Sequence, residues 1–308
     1  MQALSRVLIT GGAGFIGHNV ALYLAERGFN VVVVDSLERA TKFAIDRLNA
    51  CGIPIVKADV RSFDGYRGFD VVIHAAAYVS VPESMARPLE YLSVNALGTA
   101  KVAYECSRAG AKLIYISSSA VYGDPVKLPI SEDHPVNPLS PYGLSKYLGE
   151  LAVKHFSKVY SLRYTILRLF NIYGPGQNPA YAGVIASFIE RAARGEPLII
   201  YGDGSQTRDF VFVYDVAKVI LGIIEGDLFE NDIYNVGTGK PITIKQLAEI
   251  VVKTLGRETV KIVYEAERPG DIKHSYADTR KLASKLNTSF TPIEMGLKHT
   301  LEILKLET

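Results

Sequence analysis

Short apolar runs separated by helix-period segments fill the first 118 residues, and they narrow the possible folds more than any other feature. Arg6–Thr10 (RVLIT), Val31–Asp35 (VVVVD), Pro54–Asp59 (PIVKAD), Asp70–Ala76 (DVVIHAA) and Lys112–Ser118 (KLIYISS) each have the length of a strand. They lack the polar alternation of a half-exposed strand, so they read as strands buried on both faces. Helical patterns lie between them, as over Gly17–Gly28 and Asn95–Ala109. That alternation predicts an α/β chain with a doubly wound parallel sheet. A sixth strand, Arg163–Asn171 (RYTILRLFN), is expected after a long helix that opens near Ser140 and Pro141.

The pattern changes from about Gly174, where glycine, proline and tyrosine become dense (YGPGQNPAYAG) and the apolar runs shorten. The expected division is a first domain over 1–173, with return segments near 209–237, and a smaller C-terminal lobe made mainly from 174–308. That lobe is expected to cover the carboxyl edge of the sheet. A final helix is expected over Pro292–Lys305, with Thr291 as its cap and Pro292 in its first turn. The length of 308 residues suits such an arrangement.

The formal net charge of +2 carries none of the basic footprint of a nucleic-acid binder, so no nucleic-acid partner is expected. No apolar stretch approaches the ~20 residues of a membrane span, and the N-terminus lacks a signal-peptide pattern. A cytoplasmic protein without a membrane partner is the expectation. Cys51 and Cys106 are far apart and outside any metal-ligand spacing, so no metal is expected. Both cysteines read as core or near-core residues.

Thr10–Gly17 (TGGAGFIG) lies between the first strand and the first helical segment. It fits GxGxxG from Gly12 and GxxGxxG through Gly11, Gly14 and Gly17. Glycines there allow a tight turn and close backbone approach, and the helix N-terminus beyond them suits a dinucleotide pyrophosphate. Asp35 ends the next strand, where a carboxylate accepts hydrogen bonds from ribose hydroxyls and repels a 2′-phosphate. The pattern is that of a Rossmann-type domain and predicts NAD rather than NADP. Arg39 argues the other way, because arginine accommodates a 2′-phosphate. Phe15, Ile16 and Ser36 complete the cofactor turn and ribose end. Asp59 and Val60 fall at the adenine end. His74, Ala75, Ala76 and Ala77 end the fourth strand, where small residues admit the cofactor; His74 reads first as a histidine satisfied by local hydrogen bonds.

Tyr142 and Lys146 stand four residues apart on the expected long helix, hence on one face. A free phenol ionises near ~10, and a neighbouring ammonium is expected to lower that value and make a usable base. The serine triplet Ser117-Ser118-Ser119 follows the fifth strand at the sheet's carboxyl edge, where ligands bind in such folds. A hydroxyl there can share a proton with Tyr142.

TGGAGFIG, Asp35, HAAA, SSSAVYG, SPYGLSK, LRLFNIYGPGQ and RPGD at Arg268–Asp271 together resemble the extended short-chain dehydrogenase/reductases, in particular the UDP-galactose 4-epimerases. The resemblance covers nearly the whole chain and makes the C-terminal lobe substrate-binding. It implies Tyr142 as general base, Lys146 as the residue that orients and activates it, and Ser118 as hydroxyl partner. Ser118 follows from aligning on Val121-Tyr122-Gly123; Ser117 is the alternative and otherwise a cofactor neighbour. Asn95 matches the asparagine beside the active site, and Phe170 would lie beside the nicotinamide. The implied UDP-sugar contacts are Ser80, Ser118, Asn171 at the diphosphate, Val184 and Tyr201 at the uracil and ribose, Arg208 and Arg268 on the phosphates, and Asp271 on the ribose. Ser275 would gate a bulky C2 substituent, and its small size predicts room for an N-acetyl group.

The implied reaction is reversible oxidation at C4 of UDP-galactose or UDP-glucose, with NAD held as a prosthetic group. A 4,6-dehydratase needs an acid and base where this chain has Ser119 and Ala120, neither of which transfers that proton. Sugar-acid epimerases or decarboxylases, other dTDP-sugar enzymes and a non-catalytic NAD sensor stay open at this stage. Relatives pair through the tyrosine helix, and Leu144, Leu148, Leu151 and His155 give this chain a stripe suited to a homodimer. The same stripe is equally suited to packing on the sheet.

Overall fold

A computed structural model describes residues 5–178, 181, 183–267 and 270–305. In chain order the N-terminal elements are β1 (Arg6–Thr10), α1 (Phe15–Ala25), β2 (Asn30–Asp35), α2 (Lys42–Ala50), β3 (Ile55–Lys57) and β4 (Val71–His74). Next come α3 (Val81–Ala86), α4 (Pro88–Tyr91), a π-helical turn (Leu92–Leu97), α5 (Gly98–Ala109), β5 (Lys112–Ser118), α6 (Pro141–Tyr160) and β6 (Tyr164–Leu169). The remainder is β7 (Asn171–Tyr173), α7 (Val184–Ala193), β8 (Leu198–Tyr201), β9 (Thr207–Arg208), β10 (Phe210–Phe212), α8 (Val213–Glu225) and β11 (Asp232–Val236). It closes with β12 (Ile242–Thr243), α9 (Ile244–Thr254), β13 (Ile262–Glu265), β14 (His274–Ser275), α10 (Arg280–Ala283) and α11 (Ile293–Leu304).

Seven strands form the main sheet in the order β11-β6-β5-β4-β1-β2-β3. The chain runs outward from β1 through β2 to β3, then restarts beside β1 at β4 and runs the other way. The strands from β6 to β3 pair in parallel. This is the Rossmann-type doubly wound arrangement, and its topological switch point lies where Thr10 and His74 are register partners. Strand interiors such as Val7, Leu8, Ile9, Val72 and Ile114 are completely buried, which explains the missing polar alternation.

The long helix α6 begins as its sequence dictates. Ser140 accepts a hydrogen bond from the Gly143 N–H at 3.1 Å, and Pro141 occupies the first turn. Gly149 lets this helix approach β5 closely, since a Cβ there would lie 2.4 Å from the Tyr115 hydroxyl oxygen.

Contacts divide the chain into two compact units. The first takes the N-terminal segment through Gly123, Pro135–Leu169 and Val216–Tyr234; the second takes Asp124–His134, Phe170–Asp215 and the chain from Asn235 onward. Among the described residues the second unit contains three small sheets: β10 with β7, β12-β9-β14, and β13 with β8.

Several expectations need correction. The sixth strand breaks at Phe170, whose N–H donates to Val236 O while the Asn171 N–H donates to Asp209 O. Asn171 therefore starts β7, which pairs with β10 rather than extending β6. Residues 210–212 accordingly belong to the second unit, and the return begins at Val216. The last helix starts at Ile293 without a side-chain cap. Thr291 instead gives its N–H and hydroxyl to the Asp215 carboxylate, at 2.7 and 2.9 Å. Cys106 is buried, whereas Cys51 is exposed just past the end of α2.

Candidate active site

The glycine turn separates packing from recognition. Gly11 has φ +67°, and a Cβ there would lie 2.5 Å from Ala76 Cα; a Cβ on Gly17 would lie 2.2 Å from Gly11 O. Those positions are glycine because the protein packs against them. Gly14 differs: only Gly11 O, at 3.1 Å, stands near its missing Cβ. It caps α1 without a side-chain hydrogen bond, and the first turn carries no acid, so the helix N-terminus offers free N–H groups.

Gly11, Gly14, Asp35, Ser36, Asp59 and Val60 line one cleft in the first unit, and Ala75, Ala76 and Ala77 form its other wall. Phe15 and Ile16 open α1, with Gly17 behind them. Asp35 accepts from the Ala13 N–H at 3.0 Å and the Leu37 N–H at 2.8 Å. Burial raises its pKa above the ordinary carboxylate value, and those N–H groups act against the rise. Asp59 is held by Arg61, which keeps its carboxyl below the usual range. Arg39 also borders the cleft, but both its terminal nitrogens bind Glu83 at 2.8 Å. A glycine facing the cleft at position 14, an uncapped helix N-terminus and a carboxylate at the end of β2 fit NAD.

His74 does not reach the cleft. It is wholly buried, with Thr10 Oγ1 at 2.7 Å from Nδ1 and Thr99 Oγ1 at 2.9 Å from Nε2. Burial first, then the Lys146 charge, pulls its pKa down to about 3, so the ring is neutral at physiological pH. Asn95 is also buried, within the π-helical turn, a feature frequent at functional sites. Its amide binds the Tyr78 N–H and carbonyl and donates to Ser145 Oγ at 2.9 Å, tying the loop after β4 to α6.

Tyr142 meets Ser118 at the carboxyl end of β5 through a hydrogen bond, and Lys146 follows Tyr142 by one turn on α6. Burial raises the Tyr142 phenol above its ordinary value, and its hydrogen bond with Ser118 works in the opposite direction. The expected lowering by Lys146 is therefore not met in the protein alone. Lys146 is itself 3 % exposed, its ammonium 4.6 Å from the Tyr115 ring centroid, and burial pulls it down to about 7. Ser117 donates instead to Glu150 Oε1, further along α6, at 2.6 Å. The two serines therefore meet α6 at different residues, Ser118 at Tyr142 and Ser117 at Glu150. Tyr142 is linked to the cleft by rings: Tyr91 lies edge-on at 6.4 Å, and Tyr78, a cleft residue, lies 5.5 Å beyond Tyr91.

Ser80 caps α3, accepting from the Glu83 N–H at 3.3 Å, and its own N–H donates to Tyr91 Oη. Within the second unit, Ser275 is the register partner of Arg208, and Arg208 pairs with Asp271 at 2.7 Å. The two residues expected on separate parts of a nucleotide thus neutralise each other. Burial lowers the Arg208 guanidinium, against the Asp271 charge. Val184 opens α7, Tyr201 ends β8, and Asn171 is exposed at the start of β7. Phe170 is 5 % exposed. Arg268 lies outside the described residues.

Sequence reading missed two partners of this site. Glu150 and Arg168 form a buried ion pair at 2.6 Å beneath the helix that carries Tyr142 and Lys146. The signal was present: an arginine inside the otherwise apolar run YTILRLF needs a buried anion, and Glu150 follows Lys146 by one helical turn.

A doubly wound sheet with a dinucleotide cleft at its switch point, beside a tyrosine, lysine and serine, defines an NAD-dependent enzyme that moves hydrogen at a hydroxyl-bearing carbon. Residues 7–237 match the NAD dependent epimerase/dehydratase family, and the chain belongs to that family. A UDP-N-acetylglucosamine 4-epimerase of Methanobrevibacter ruminantium M1, solved with UDP-N-acetylmuramic acid, is 35 % identical. The match covers 99 % of each chain with a TM-score of 0.91. The UDP-glucose 4-epimerase of Thermotoga maritima, solved with UDP-glucose, is 34 % identical over 97 % of this chain and 98 % of its own, with a TM-score of 0.90. That of Thermus thermophilus, solved with NAD, is 32 % identical over 97 % and 99 %, with a TM-score of 0.87.

Proposed function

We propose that this chain is an NAD-dependent UDP-sugar 4-epimerase that interconverts UDP-galactose and UDP-glucose through a transient 4-keto sugar. The observation that carries the reading is the hydrogen bond between Tyr142 and Ser118, with Lys146 one turn along the same helix, in the same unit as a cleft that fits NAD. The similarity to UDP-glucose 4-epimerases spans nearly the full chain.

NAD, when bound, supplies the hydride acceptor and a positive charge that favours the Tyr142 phenolate. Gly11, Gly14, Phe15, Ile16 and the α1 N-terminus are assigned to its pyrophosphate, Asp35 and Ser36 to its ribose, and Asp59 and Val60 to its adenine. Tyr142 takes the C4 hydroxyl proton and gives it back. Ser118 hydrogen-bonds the same hydroxyl and relays the proton, while Lys146 holds positive charge beside the phenolate. Asn95 fixes the wall of the cleft against α6, and Phe170 is assigned to the nicotinamide.

Asn171, Arg208 and Arg268 are assigned to the diphosphate, Val184, Tyr201 and Asp271 to the uridine, and Ser80 to the sugar side. Arg208 suits this role because a phosphate can replace the Asp271 carboxylate on its fork, freeing Asp271 for a ribose hydroxyl. Ser275, in register with Arg208, is assigned to the gate at the C2 substituent, and its small size favours an N-acetyl group there, so UDP-N-acetylhexosamines are also assigned as substrates. The likeness to an N-acetylglucosamine epimerase supports this. Leu144, Leu148 and Leu151 are about 40 % exposed on α6, an apolar stripe left open for a second copy, so the assembly is a homodimer. The unpaired cysteines suit a cytoplasmic setting.

The test is incubation with UDP-galactose, and separately UDP-N-acetylglucosamine, followed by chromatographic separation. Formation of the C4 epimers without net NADH supports the assignment. Inertness toward both, in protein that retains NAD, overturns it and directs attention to uronic acid substrates.

A further inference from the structure

Glu150 lies one turn beyond Lys146 on α6, and the reaction steps above do not use it. Its side chain is fully enclosed (0 % exposed), and that of Arg168 is 2 % exposed. Glu150 Oε1 accepts from Ser117 Oγ at 2.6 Å and from Arg168 Nε at 2.9 Å; Oε2 accepts from Arg168 Nη2 at 2.6 Å. The Arg168 guanidinium rests 4.7 Å from the Tyr122 ring centroid. Ser117 and Arg168 are register partners on β5 and β6. One carboxylate therefore joins the helix that carries Tyr142 and Lys146 to the strand that ends in Ser118.

Stability alone does not account for this pair, because apolar residues of similar volume fill such a space as well or better. Its geometry does two other things. By holding Ser117, it pins the end of β5 against α6, where the next residue, Ser118, hydrogen-bonds Tyr142. Residues 142, 146 and 150 also follow at helical spacing on one face, which places a negative charge beside the Lys146 ammonium. The Tyr115 ring and neutral His74 face Lys146 from the sheet, and Tyr142 stands one turn before it on its own helix. Burial pulls the ammonium down, and Glu150 is the charge that acts against that fall.

We propose that Glu150, clamped by Arg168, is a positioning residue that keeps Lys146 cationic and sets Ser118 against Tyr142. Its effect on turnover rests on the epimerase reading; its effect on Lys146 does not. The full-length protein labelled with 13Cε-lysine, with Lys146→Met to assign the signal, reports the ionisation of Lys146 directly. Glu150→Gln is expected to lower its midpoint by about one pH unit. Turnover then fails at correspondingly lower pH, with about tenfold loss of kcat at pH 8 and little change in KM or bound NAD. The double variant Glu150→Leu/Arg168→Met is expected to regain the thermal stability lost in Glu150→Gln but not the Lys146 midpoint or the turnover. An unmoved midpoint, or an apolar pair that restores turnover along with stability, overturns the proposal. If Glu150→Gln does not fold, the double variant decides alone. Wild-type protein without turnover counts against the epimerase reading, and the midpoint still decides this one.

Discussion

The Arg39 guanidinium meets the Glu83 carboxylate through two hydrogen bonds of 2.8 Å each, and its carbon lies 3.5 Å from the Tyr78 ring centroid. Tyr91 Oη and Arg87 also donate to Glu83. A bidentate, stacked arginine is not the free cation that a 2′-phosphate requires. NAD is therefore expected to bind about a hundredfold more tightly than NADP, with Asp35 supplying most of the discrimination. Asp35→Ser is predicted to narrow the gap by more than about tenfold, read by calorimetry with each cofactor. An unchanged NADP affinity in that variant would contradict the assignment of Asp35.

The glycines at 14 and 17 should fail in different ways. Gly17→Ala forces a Cβ against Gly11 O and Gly12 Cα, so a loss of about 2 kcal/mol of stability is expected, seen as a lower Tm. Gly14→Ala meets only one neighbouring atom and should keep its Tm to within a few degrees. Its added methyl stands at the cofactor opening and should weaken NAD binding about tenfold or more. Equal losses of stability in both variants would remove Gly14 from the cofactor site.

Tyr142→Phe keeps the half-buried ring and removes the hydroxyl that meets Ser118. Turnover is predicted to fall by about 10² to 10⁴, with NAD content unchanged when cofactor is released by denaturation and quantified. Residual activity near wild type would move the base elsewhere.

Much of this was legible before the structure because the residues concerned obey local rules. The apolar runs, the glycine turn, Asp35 and the Ser140-Pro141 helix start are each written within a few residues. What escaped depends on contacts distant in sequence. The split at Phe170 follows from Val236 and Asp209 taking the backbone away from β6. Thr291 leaves its helix for Asp215. The ambiguity between Ser117 and Ser118 needed Glu150, and the weight of Arg39 needed Glu83. Tyr142 stands farthest from expectation, because burial acts on the phenol and on Lys146 together, and a sequence spacing carries no measure of burial.

Lys146 makes a stability prediction with a definite sign. Its folded-state value is pulled down to about 7 from an ordinary 10.5. Between those values the unfolded chain binds the proton and the folded chain releases it, so this group's contribution favours folding as pH rises through that window. Below pH 7 the folded protein carries the full penalty of a buried ammonium. In protein stripped of NAD, Lys146→Met should therefore exceed wild type in Tm most at about pH 6, with the gap shrinking toward about pH 9. A constant gap would mean that the ammonium is not buried.

The stripe on α6 is tested by charge. Leu148→Glu, with Leu148 37 % exposed, is expected to convert a dimer to a monomer in sedimentation analysis without altering the Tm of the monomer by more than a few degrees. Wild-type protein that sediments as a monomer at micromolar concentration would contradict the homodimer.

The most direct test of the central claim follows the hydrogen at C4. UDP-galactose carrying deuterium at C4 is incubated with the protein in ordinary water, and the UDP-glucose formed is examined by mass spectrometry and NMR. Retention of deuterium at C4 of the product is the predicted result, because the atom leaves the sugar and returns to it without meeting solvent. Loss of the label to water would contradict the account, since it would mean that C4 is inverted by proton exchange rather than by oxidation and reduction.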